Sequence, residues 1–166
     1  MRARILPVAA AGLAAIAASV WARPAIRLAY NPSLSAPRGW YAVAPLGCAP
    51  KVGDHVLAWA PPWARQLADQ RRYVPATVPL MKPVVAVAGA RICRTGRTIS
   101  IDGRPVATAW PRDSAGRPMP RWQGCRTLGA HEQFLLSARP DSFDARYFGP
   151  VDRGAVIARV RPLWTW

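Results

Sequence analysis

Proline and glycine constrain this chain most. Eighteen prolines and twelve glycines are spread through 166 residues. Both residues break helices, so an all-helical bundle is excluded. Between them lie short β-branched and aromatic runs. Trp40–Pro45, His55–Trp59, Pro83–Gly89, Gln133–Ser137 and Ala155–Val160 read as strands. Thr98–Ile101, Asp102-Gly103 and Arg104–Ala107 read as a hairpin, because an Asp-Gly pair adopts the positive φ angles of a two-residue turn. Residues 111–124 are rich in Pro, Gly and Arg and read as a long loop. The best soluble helix is Pro61–Arg72, with proline at its start and Trp63, Leu67 and Gln70 at helical spacing. The expectation is a mostly β fold with strands paired through hairpins and one short helix.

The N-terminus has a different character. Met1–Arg4 is basic, and Ile5–Ala22 carries no charge. Eighteen residues give roughly 27 Å of helix, enough to span a hydrocarbon core. Val20-Trp21-Ala22 suits a signal-cleavage site, and Trp21 equally suits the interfacial end of a retained anchor. The expected division is residues 1–24 as a signal or membrane-anchor helix and 25–166 as an extracytoplasmic domain. Disulfides form in that compartment. Cys93 precedes the 98–107 hairpin and Cys125 follows the long loop, so these two form the candidate bridge, with Cys48 left over.

The net charge is +15, from 23 Lys and Arg against 8 Asp and Glu, yet only Lys51 and Lys82 are lysines. The arginines are scattered through turns without a basic helix or an aromatic stacking pattern, which argues against nucleic acid as partner. Anionic lipid is the better use for the charge. Three cysteines and two histidines do not cluster as metal ligands, and no metal or organic cofactor is expected.

Catalytic chemistry has few places to reside. His55 and His131 lack a carboxylate setting for a Ser-His-Asp arrangement. A serine can use a neutral lysine instead, and a desolvated ammonium becomes neutral more readily. Lys82 lies in Val78–Val87, with no acid between Asp69 and Asp102, whereas Lys51 stands beside Asp54 in a polar turn. Ser33 and Ser35 lie two residues apart between prolines.

Three segments carry a family resemblance. Ser33-Leu-Ser35-Ala-Pro-Arg-Gly-Trp-Tyr41 resembles the nucleophile segment of the conjugative-transfer (TraF-type) branch of the type I signal peptidases. Met81-Lys82-Pro-Val-Val-Ala-Val-Ala-Gly89 is similar to the lysine segment of that family. Asp141-Ser142-Phe-Asp144-Ala-Arg146-Tyr147-Phe148-Gly149 is similar to its third motif. The order and the N-terminal apolar segment also match. The resemblance implies a signal-peptidase-like antiparallel β domain behind a membrane helix. It implies Ser35 as nucleophile and Lys82 as general base. Ser33 and the Ser35 backbone N–H would form the oxyanion hole, and Ser142 would orient the lysine. Asp144 and Arg146 would be a supporting ion pair. Three features depart from the wider family: Ala36 after the nucleophile, Pro83 after the lysine, and Ala138-Arg-Pro140 in place of a Gly-Asp-Asn-Arg run. The implied activity is removal of signal or leader sequences from exported proteins at the cytoplasmic membrane, with the domain in the periplasm. The implied substrate is a pilin precursor, bound as an extended peptide along residues 31–41 and the stretch leading into Lys82. The competing reading is an inactive basic periplasmic adaptor of the same fold.

Overall fold

The computed structural model describes residues 12–14 and 28–166. The apolar segment 5–22 lies outside the described residues except for the helical 12–14, and so does the boundary at 24. Among the described residues no helix is long and apolar enough to cross a membrane.

Eleven antiparallel strands form two sheets among the described residues. They are β1 (Leu28–Asn31), β2 (Gly39–Ala44), β3 (His55–Ala58), β4 (Leu80–Ala86), β5 (Arg91–Thr95), β6 (Thr98–Ile101), β7 (Arg104–Thr108), β8 (Gly124–Thr127), β9 (Glu132–Leu135), β10 (Val151–Asp152) and β11 (Val156–Thr165). The larger sheet has the order β1-β2-β11-β3-β4-β9-β10 and the smaller β7-β6-β5-β8. The mostly β expectation is borne out, with one correction. Among the described residues 28–166 there are two α-helices rather than one: α1 (Pro62–Gln70) and the single turn α2 (Ala145–Phe148). The second forms because Asp144 caps it, its side chain accepting from the Arg146 N–H, and Gly149 closes it at φ 80°.

Local chemistry explains the main elements. Asp102 and Gly103 have φ of 49° and 81° and turn β6 into β7. Gly39 has φ 138°, and a Cβ there would collide with the Trp164 carbonyl as β2 passes β11. Helix α1 buries Ala64 and Ala68 and leaves Trp63 exposed. The face expected from Trp63 and Leu67 is therefore displaced, because small alanines let the helix sit close to Phe143 and Tyr147. β11 runs to Thr165, past the expected end, because it bridges β2 and β3. A hydrophobic core that includes Ile92, Ile99, Phe134 and Leu136 lies between the two sheets. Cys93 and Cys125 face each other across β5 and β8 and are bonded; Cys48 is an exposed free thiol.

Candidate active site

The serine segment is a turn hung from Asn31, the last residue of edge strand β1. Asn31 is buried. Its Oδ1 accepts from Ser33 N and Ser33 Oγ, at 3.1 and 2.8 Å. Its Nδ2 donates to the carbonyls of Ser33, Ala36 and Pro37 at 3.0–3.1 Å. Tyr41 closes the turn from β2, its hydroxyl donating to the Pro37 carbonyl at 2.7 Å. One amide thus holds the backbone before and after Ser35, a geometry that Asn adopts readily through its short side chain. Ser33 Oγ and Ser35 Oγ are hydrogen-bonded at 2.9 Å.

Lys82 comes from β4, where Val56 of β3 is its register partner. It is only 4% exposed, and Nζ donates to Ser142 Oγ at 2.7 Å. Burial in these apolar surroundings lowers the lysine pKa from 10.5 to about 8, against a smaller opposing pull from Asp144. Among the described residues no hydrogen bond joins Ser35 Oγ to Lys82 Nζ; each faces its own serine partner.

Two contacts bring the strands of the pair together. Leu136 N donates to the carbonyl of Pro83, the residue after Lys82, at 3.2 Å. Its neighbour Ser137 donates through Oγ to the Ser35 carbonyl at 2.6 Å. Ala36 and Met81, the chain neighbours of Ser35 and Lys82, also share one buried cluster.

Behind them stands the buried pair of Asp144 and Arg146, 0% and 1% exposed. The arginine meets the carboxylate through two bonds, Nε to Oδ1 at 2.8 Å and Nη2 to Oδ2 at 3.1 Å. Its other donors reach the carbonyls of Ser137 and Pro140 at 2.6 and 3.0 Å. Asp144 Oδ2 also accepts from Ser137 N at 3.0 Å. The pair therefore clamps the two sides of loop 137–146, which carries both Ser137 and Ser142. A surface ion pair would contribute little; this one is fully desolvated and saturated with hydrogen bonds.

Asn31 and Ser137 carry much of this geometry, and no role was read for either from the chain alone. A lone Asn and a lone Ser at strand ends have no distinguishing spacing. Among the described residues no group of His, Cys, Asp and Glu is placed to hold a metal. His55 is half-buried with its pKa lowered by burial, and it takes no part in these contacts.

The site thus comprises a buried lysine bonded to the Ser142 hydroxyl, near the serine turn, on an antiparallel β scaffold. The model of the family described as signal peptidase, peptidase S26, matches residues 2–166, and the chain belongs to that family. Its relatives are of the TraF type. It is 32% identical to a probable conjugal transfer protein TraF of Sinorhizobium fredii over 82% of this chain and 76% of that one. It is 41% identical to the plasmid transfer protein TraF of Escherichia coli over 52% of this chain and 51% of the relative. The alignments to the E. coli proteins thus span about half the length of those relatives. A signal peptidase I from Enterococcus faecalis superposes over 66% of this chain and 95% of that one, with 18% identity and a TM-score of 0.39.

Proposed function

We propose that this protein is a serine–lysine endopeptidase that removes the signal or leader sequence of an exported precursor. The observation that carries this reading is the buried Lys82 ammonium, held by a hydroxyl rather than a carboxylate, beside the serine turn. With a pKa near 8, roughly one lysine in ten is neutral at pH 7, a usable fraction of base. Ser35 Oγ turns from Ser33 to Lys82 as substrate enters; catalytic hydrogen bonds commonly tighten only in the complex. Lys82 takes the hydroxyl proton as Oγ attacks the carbonyl, then gives it to the leaving amine. The Ser35 N–H, which has no acceptor among the described residues, faces the developing oxyanion, and the Ser33 hydroxyl joins it by turning its proton away from Asn31 Oδ1, to which it donates in the free site. Ser142 aims the lysine, and the Asp144–Arg146 clamp keeps Ser142 and Ser137 in place.

The substrate lies extended. β1 is an edge of the larger sheet, and the Leu80–Lys82 part of β4 pairs with β3 on one side while β9 joins only from Val84. These two free edges flank the pair and suit strand addition. The conjugal-transfer names of the relatives fit a role in conjugation, and the substrate that the resemblance of the motif segments implies is a pilin precursor. The basic surface and the apolar segment 5–22 would hold the domain at the periplasmic face of the cytoplasmic membrane. The test is cleavage of a precursor by the wild type and by Ser35→Ala and Lys82→Ala. Loss of cleavage with retained folding is expected in both; full activity in either variant refutes the mechanism.

A further inference from the structure

A cleft of about 730 Å3 opens between the two sheets, immediately beside the serine–lysine site. Pro83 and Val85 of β4, Leu136, and Ile101 and Val106 of the β6–β7 hairpin make its walls. Its volume suits several side chains of a bound segment. Three observations tie it to the site. Ser137, which holds the Ser35 carbonyl, also lines the cleft. Pro83 and Val85 continue β4 directly past Lys82. By strand alternation they share the face of Met81, which clusters with Ala36 next to Ser35.

We infer that this cleft receives the substrate residues that follow the scissile bond, and selects apolar side chains among them. This rests on the peptidase reading above. A peptide entering along the free edge before Lys82 and passing Ser35 in an extended conformation leaves along Pro83 and Val85, into the cleft. The rim carries one charge of each sign, Asp102 and Arg104. In a chain of net charge +15, that balance leaves the apolar walls to discriminate. β7 is an edge of the smaller sheet, so one wall of the cleft also offers an unpaired strand edge. Val106 is 45% exposed; burying it under a ligand side chain is the gain that bare solvent does not supply.

The test uses the full chain and quenched-fluorescence peptides identical before the bond, with Leu, Gly or Glu at each of the first three positions after it. The expected result is a Leu-over-Gly preference of about tenfold in kcat/KM at one or more positions, the order of burying one aliphatic side chain. Val106→Arg abolishes that preference and raises the Glu peptide relative to Leu. Ile157→Trp, on an exposed site of β11 outside the cleft, preserves it. The same peptides are also titrated onto Ser35→Ala by fluorescence anisotropy, where the Leu preference appears as tighter binding. Indifference to the residues after the bond in both assays overturns the inference, as does a Leu preference that survives Val106→Arg. Absence of cleavage by the wild type, with the binding preference present and lost in Val106→Arg, refutes the peptidase reading and supports the cleft as a peptide site.

Discussion

Replacing Lys82 by methionine removes the ammonium from a site that is 4% exposed while keeping most of the side chain's volume. The lysine pKa falls from 10.5 to about 8 on folding. That difference of 2.5, at about 1.36 kcal/mol per unit, places the burial cost of the charge near 3 kcal/mol. Methionine gives up the hydrogen bond to Ser142, a loss of about 1 kcal/mol. Lys82→Met is therefore expected to be more stable than wild type by about 2 kcal/mol at pH 7, and inactive. The sign with pH follows from proton binding. Between pH 8 and 10.5 the unfolded chain holds a proton on Lys82 that the folded chain has lost, so wild-type stability rises through this window. Above it the charge penalty is gone and the order reverses, wild type becoming the more stable by about 1 kcal/mol through the hydrogen bond to Ser142. Guanidinium unfolding of both at pH 7 and pH 10 measures the gap directly. A methionine variant no more stable than wild type at pH 7, or a gap independent of pH, refutes the claim that a desolvated lysine sits in this site.

Cleavage itself is expected to rise about tenfold per pH unit below pH 8 and level off above, as the lysine becomes neutral; a flat profile across this range excludes Lys82 as base. Arg146→Met leaves the buried Asp144 carboxylate unpaired and is expected to cost about 3–5 kcal/mol, read as a lower denaturation midpoint; a change below 1 kcal/mol contradicts the clamp. Asn31→Ala releases the Ala36 and Pro37 carbonyls and the Ser33 side chain, with an expected loss of about 2–3 kcal/mol and a larger fall in kcat than rise in KM; an unchanged kcat shows that the serine turn does not need this amide. Reducing the Cys93–Cys125 bond, whose partners are 32 residues apart, is expected to cost about 3–4 kcal/mol on the loop-entropy model; an unchanged midpoint under reductant contradicts it.

The ordered strands were legible wherever alternation and turn chemistry coincide, as at His55–Ala58 and the Asp102-Gly103 hairpin. β1, β5 and β8 were not. Leu28–Asn31 lies against a basic, aromatic stretch without its own turn signal. Arg91–Thr95 and Gly124–Thr127 alternate around charged residues, and pairing with neighbours holds them extended. Helix α1 was legible in extent but not in its buried face, since hydrophobicity marks Trp63 and close packing favours Ala64 and Ala68.

The chain by itself determined the candidate chemistry. With two lysines, and two histidines that are not set with a serine and a carboxylate as a triad, an activated serine has few bases to use, and the apolar run around Lys82 is the context that lowers a lysine pKa once it is buried. The three motif segments assign Ser33, Ser35, Ser142, Asp144 and Arg146 their roles by resemblance. Only the tertiary structure decided what holds them. The roles of Asn31 and Ser137 arise from hydrogen bonds to backbone carbonyls and amides, which depend on where the chain passes rather than on residue type. The Asp144–Arg146 pair is a supporting ion pair by resemblance alone, and it becomes a clamp because the fold buries it completely against the Ser137 and Pro140 carbonyls. The cleft past Lys82 exists because the β6–β7 hairpin packs across β4 and β9, a long-range contact that no local pattern encodes.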